Sequence, residues 1–187
     1  MEAILFSYET IRSDMGPRAY DEILDFLDEL KKDFPELERA QISYNPENIK
    51  GYILVDLRDA IKSMDEAKLK VFTEKFLEAV RKAYDEGRLL AVSKARIIHK
   101  LCETSIEKIV ECAKFFAPLI TGTWKIEIRT RKIFDRMEVI RKVAEIIKQK
   151  VDLKNPQFVL HIEILGKNLT VMYLTRSGEE EKVIIRF

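Results

Sequence analysis

The residues of this chain best placed to do chemistry are cations, and they are grouped. In "TWKIEIRTRKIFDR", which runs from Thr123 to Arg136, Trp124, Ile126 and Ile128 alternate with Lys125, Glu127 and Arg129 in the period-two pattern of a strand with one buried face. Lys125, Arg129, Arg131, Lys132 and Arg136 mark the other face and the turn that follows. Arg141, Lys142, Lys148 and Lys150 line the next helix, and Lys154 and Asn155 stand in the loop before Pro156. Lys94, Arg96 and Lys100 lie upstream, in a segment joining two halves of the chain. Repeated point charges and guanidinium forks of this kind suit phosphate oxygens, with backbone amides at a helix N-terminus adding to the effect. A face that only needs solubility carries mixed signs instead. The cluster reads as a polyanion-binding surface, against the alternative of a merely solvated face.

Other chemistry is sparse. Gly16, Gly51, Gly87, Gly122, Gly166 and Gly178 lie too far apart to build a phosphate loop or a dinucleotide fingerprint, so no cofactor is expected. His161 shares a strand face with Glu163, which would permit acid–base work, but no nucleophile accompanies the pair. A structural or RNA-contacting imidazole is the expectation there. The acidic pairs Glu22/Asp25 and Asp85/Glu86 fall on helix surfaces, where solvation explains them. Cys102 and Cys112 lack metal-ligand spacing and form no disulfide framework, so two buried thiols in a reducing, cytoplasmic setting are expected. The longest uncharged run, "FFAPLITGTW", is too short to span a membrane and is broken by Pro118 and Gly122. These features together predict a protein that is not an enzyme, with no metal and no membrane partner.

The elements that must position the cations follow from periodicity. "AILFSY" reads as a strand, followed by a helix after Pro17 with Ile23, Leu24, Leu27 and Leu30 in its stripe. "RAQISY" and "GYILVDL" form a hairpin, a helix spans about Met64 to Asp85 with Gly87 beyond its end, and "LLAVSKARII" returns as a strand. That order, β-α-β-β-α-β, predicts a ferredoxin-like unit over residues 1–98. A second unit, 99–187, holds a helix capped at Thr104-Ser105 and then the basic strand. A helix capped by Asp135, with Ile140, Val143, Ala144 and Ile147 inward, comes next. A hairpin over Gly166-Lys167 and a last strand "KVIIRF" complete it. The fold class is α+β. Charge divides with the units: residues 1–90 carry 14 Lys/Arg against 20 Asp/Glu, a net −6, while residues 91–187 carry 19 against 12, a net +7. A polyanion partner would therefore meet the second half.

The stretch "GTWKIEIRTRKIFDRMEVIRKVAEIIKQKVDLKNPQFVLHIEI" resembles the core of the THUMP domain, a module of tRNA-modifying proteins, and "VDLKNP" in its context is the most specific piece. The likeness covers roughly Thr104 to Leu174, and the unit before it resembles the ferredoxin-like domain that accompanies THUMP. "ARIIHKLCETSIEKIVECAKF" is similar to the beginning of the stand-alone type, with "RIIHK" departing at His99 from the expected "RIIP". The resemblance implies a THUMP-like mixed sheet with helices and a tRNA partner gripped by its acceptor 3′ end. It further implies an adaptor role beside a separate tRNA-modifying enzyme, an acetyltransferase making N4-acetylcytidine being favoured. The RNA-binding subunit of a split thiouridylase or methyltransferase is the alternative. It also implies that Lys154 and Asn155 lie beside Arg129 and Arg131.

Overall fold

The computed structural model describes residues 1–130 and 135–187. The chain separates into two units, Met1–Ile97 together with Ile184–Phe187, and Ile98–Val183.

In the first unit, β1 (Ala3–Tyr8) leads into α1 (Met15–Leu30), and β2 (Gln41–Tyr44) and β3 (Tyr52–Asp56) form the hairpin. A single turn of helix, α2 (Arg58–Ile61), precedes the long α3 (Glu66–Asp85), and β4 (Val92–Ile98) follows. The strand order β2-β3-β1-β4 is that of a split βαβ sheet. It arises because each helical crossover skips one strand position, which β3 and β1 then fill. Ile4, Phe6 and Tyr8 of β1 and Ile53 and Val55 of β3 join one core with Ile23, Phe26 and Leu27 of α1 and Phe72, Phe76 and Val80 of α3. Phe34, Phe72, Phe76 and Phe26 meet in succession, edge-on or tilted, with ring centroids 5.0, 5.9 and 5.6 Å apart. Asp65 caps α3 by accepting from the Lys68 amide.

In the second unit, β5 (Lys100–Cys102) is followed by α4 (Ile106–Ala113), β6 (Trp124–Thr130), α5 (Arg136–Ile146), and the hairpin strands β7 (Phe158–Ile164) and β8 (Thr170–Arg176). The sheet order is β5-β8-β7-β6, with β6 parallel to β7 and the other pairs antiparallel. Parallel pairing is forced by α5, which carries the chain back to the sheet's starting end before β7 begins. Ile109, Ala113 and Phe116 join Val139, Val143 and Ile147 over Trp124, Ile128, Leu160, Ile162 and Met172.

Two expectations change here. The last strand, β9 (Ile184–Arg186), pairs antiparallel with β4, Lys94 opposite Arg186, so residues 184–187 belong with the first unit and not with 99–183. Its own alternation is compatible with either sheet, and the pairing with β4 is a long-range choice that the strand's own residues do not specify. Cys102 and Cys112 are not free thiols: they form a disulfide across the end of β5 and α4, with Cα atoms 6.5 Å apart. Cys102 leaves β5 on the same side as the inner face of α4, which brings sulfurs ten positions apart into bonding distance.

Candidate nucleic-acid interface

The parallel register of β6 and β7 decides where each cation falls. Trp124 lies opposite Phe158 and Thr130 opposite Ile164. The chain arriving at Phe158 therefore reaches the sheet at the start of β6, and the chain leaving Ile164 departs at its end. The loop with Lys154 and Asn155 sits at the start, where the Asp152 amide donates a hydrogen bond to the Trp124 carbonyl at 3.0 Å and the Trp124 amide donates one to the Lys150 carbonyl at 3.1 Å. Arg129 lies five residues along β6, about 17 Å away at about 3.3 Å per residue. Lys154 and Asn155 are thus not neighbours of Arg129, contrary to the expectation from the resemblance.

At the far end of β6 the described residues Ile128, Arg129, Thr130, Arg136, Glu163, Ile164 and Leu165 line a cleft of about 360 Å³. Arg129 is exposed. Arg136 opens α5 and turns back, its Nη2 donating to the Ile128 carbonyl at 3.1 Å, which fixes the guanidinium at the cleft. Asp135 caps α5 by accepting from the Glu138 amide at 3.1 Å. Its carboxylate occupies one of the helix-terminal donors that an anion would otherwise use. Arg131 and Lys132 lie outside the described residues.

The hairpin after β7 adds a cation that sequence reasoning missed. Gly166-Lys167 was recognisable as a turn, but only the register places exposed Lys167 at the same end of the sheet as Arg129 and Arg136. The turn closes with the amides of Leu165 and Gly166 on the Leu169 carbonyl, at 3.0 and 3.1 Å. Thr104 steadies it by donating to the Gly166 carbonyl at 2.6 Å, and its hydroxyl lies 2.8 Å from that of Thr170.

The remaining candidates scatter. Lys125 lies 3.4 Å from Glu127, whose other oxygen is 3.5 Å from His161 Nδ1. His161 Nε2 shares a 2.9 Å hydrogen bond with Thr175 and its ring stacks on Tyr173 at 4.5 Å, while Tyr173 donates to Glu163 at 2.8 Å. This face of the sheet is a polar network that partly neutralises Lys125, and His161 is one of its structural members. Lys100 holds its ammonium 4.6 Å from the Phe115 ring centre. Lys94 and Arg96 belong to β4 in the first unit, and Arg96 is 1% exposed, with its guanidinium over the Tyr52 ring at 5.6 Å. Burial removes Arg96 from any phosphate surface: as a cation in the segment joining the two halves it is expected at the surface, but within β4 its side chain is enclosed. His99 is neutral, because burial pushes its pKa from 6.5 down to about 4; Nδ1 accepts from the Leu174 amide at 3.0 Å.

Among the described residues no helix is long and apolar enough to cross a membrane. No curated protein matches the chain. Among solved structures, PH1313 from Pyrococcus horikoshii Ot3 is 18% identical with a TM-score of 0.59, over 95% of this chain and 56% of its own. A 4-thiouridine synthetase, solved as an RNA complex with bound ATP, is 12% identical with a TM-score of 0.57, over 94% of this chain and 42% of its own. The chain therefore spans about half the length of these structures, and it shares their two-unit α+β fold. The THUMP domain of THUMP domain-containing protein 1 is 30% identical over 37% of this chain and 87% of its own, with a TM-score of 0.32. The model of the THUMP domain matches residues 103–174, which run from the end of β5 through α4, β6, α5 and β7 into β8 and include the cleft. This chain is a THUMP-domain protein, with its THUMP domain preceded by a separate N-terminal α+β domain.

Proposed function

We propose that the chain is a non-catalytic tRNA-binding adaptor, which holds the single-stranded acceptor 3′ end and presents the tRNA to a separate modification enzyme. The carrying observation is the convergence of Arg129 and Arg136 on the cleft at the end of β6, inside the THUMP domain. A cleft of about 360 Å³ accepts a nucleotide but not a duplex, and guanidinium groups at its rim suit phosphate and ribose hydroxyls. Formation of N4-acetylcytidine is the favoured reaction of the partner, on the likeness of the 95–115 segment to stand-alone THUMP proteins. A second reading, the RNA-binding subunit of a split thiouridylase or methyltransferase, is favoured by the fold shared with the 4-thiouridine synthetase across both units.

Titration of intact tRNA and of tRNA trimmed of its 3′ single strand, at one salt concentration, tests the site. Trimming weakens binding several-fold, and Arg129→Glu removes the difference between the two RNAs, whereas Lys154→Glu leaves it in place. With four single-strand phosphates engaged, raising salt from about 50 to about 200 mM lowers affinity about 50-fold. Equal binding of intact and trimmed tRNA by the native protein overturns the acceptor-end assignment. Turnover of tRNA by the purified chain with S-adenosylmethionine, ATP or acetyl-CoA overturns the adaptor role.

A further inference from the structure

The loop 148–155 at the start of β6 joins exposed apolar side chains to unpaired cations. Val151 is 49% and Leu153 73% exposed. Lys148, Lys150 and Lys154 stand exposed around them, and none makes an ion pair among the described residues. Several cations nearby are different: Lys114 lies 3.0 Å from Glu111, and Arg141 and Lys142 are shared among Glu138 and Glu145 at 3.5 to 3.9 Å.

The loop is held firmly. Trp124, 1% exposed, donates from Nε1 to the Gln149 carbonyl at 2.8 Å and brackets Val151 through its own amide and carbonyl. Asp152 accepts from the Lys154 and Asn155 amides, both at 3.0 Å. Leu153 is thereby displayed on an ordered turn, which lowers the ordering cost of binding. An apolar centre with a charged rim is the anatomy of a protein contact. Phosphate gains nothing from Val151 and Leu153, and the Asp152 carboxylate among the lysines repels it. A cationic rim selects an acidic partner surface.

Such a surface exists on the same chain. Residues 1–90 carry a net −6, and α1 exposes Asp21, Asp25 and Asp28 at positions i, i+4 and i+7 of one stripe. Lys31 pairs with Asp28 at 3.2 Å, but Asp21 and Asp25 have no ion-pair partner among the described residues.

We propose that the loop 148–155 is a self-association surface, which docks Val151 and Leu153 against the acidic α1 stripe of a second copy, with Lys148, Lys150 and Lys154 facing its aspartates. The contact lies at the opposite end of β6 from the RNA cleft and does not depend on RNA being bound there.

Sedimentation velocity of the full chain, from about 1 to about 300 μM, tests this. Association is expected at about 50 mM salt and weakens at about 200 mM, where the Debye length is shorter. Leu153→Asp weakens it at least about tenfold, a loss of about 1.4 kcal/mol or more. Lys150→Glu/Lys154→Glu alone and Asp21→Lys/Asp25→Lys alone each sediment as monomers, and mixing the two restores a complex. A monomeric native chain throughout the range overturns the proposal, as does association that Leu153→Asp leaves unchanged. If Lys150→Glu/Lys154→Glu instead abolishes tRNA binding without altering sedimentation, RNA is the occupant and the proposal fails.

Discussion

Acidifying this protein below pH 6.5 is expected to weaken the second unit through His99. Its pKa falls from 6.5 to about 4 because burial disfavours the imidazolium, and Nδ1 is committed to accepting from the Leu174 amide at 3.0 Å. Between those two values the unfolded chain holds a proton that the folded chain does not, so stability decreases as pH falls. The contribution is fully present above about pH 6.5, is being lost at pH 5, and is gone below about pH 4. At 1.36 kcal/mol per pH unit the full loss is about 3 kcal/mol, of which about 2 kcal/mol has gone by pH 5. His99→Asn isolates the effect, since the amide oxygen can take over the acceptor role of Nδ1 without titrating. Urea unfolding followed by fluorescence reports on this unit, because Trp124 is the only tryptophan and is 1% exposed. Native protein is expected to lose about 2 kcal/mol more than His99→Asn between pH 7.5 and pH 5. Equal losses by the two proteins would falsify the claim that burial keeps the imidazole neutral.

Reduction of the Cys102–Cys112 bond, which closes a loop of sequence separation 10, is expected to destabilise the second unit by about 3 kcal/mol, measured by the same unfolding with and without reductant. A thiol titration that finds two free cysteines in the denatured, unreduced protein refutes it. Gly16→Ala is expected to destabilise the first unit by about 1 to 3 kcal/mol despite alanine's helix preference, because the new methyl meets the Tyr44 hydroxyl and the Tyr8 ring; circular dichroism of thermal unfolding measures it. Phe72→Ala, at a fully buried position between Phe34 and Phe76, is expected to cost about 3 to 5 kcal/mol in the same measurement.

Much of the architecture was legible in the chain. The β-α-β-β-α-β order, Pro17 in the first turn of α1, the Asp135 cap and the alternation of Trp124, Ile126 and Ile128 are local signals, set by backbone sterics and by the period of side-chain burial. So is the contrast between a net −6 and a net +7 half. Pairing is not local. Whether β7 lies parallel to β6, and in which register, depends on where α5 returns the chain, and that choice separates Lys154 from Arg129 and brings Lys167 to the Arg129 end. The side of a strand that stays open depends on what packs there, which is why Arg96 reads as a surface cation and is buried. Cys102 and Cys112 meet because β5 and α4 share one core, and β9 pairs with β4 across about ninety residues of sequence, a contact its own alternation does not specify. Composition and period define the elements and their charge; contacts between residues far apart in sequence decide which charges share a surface.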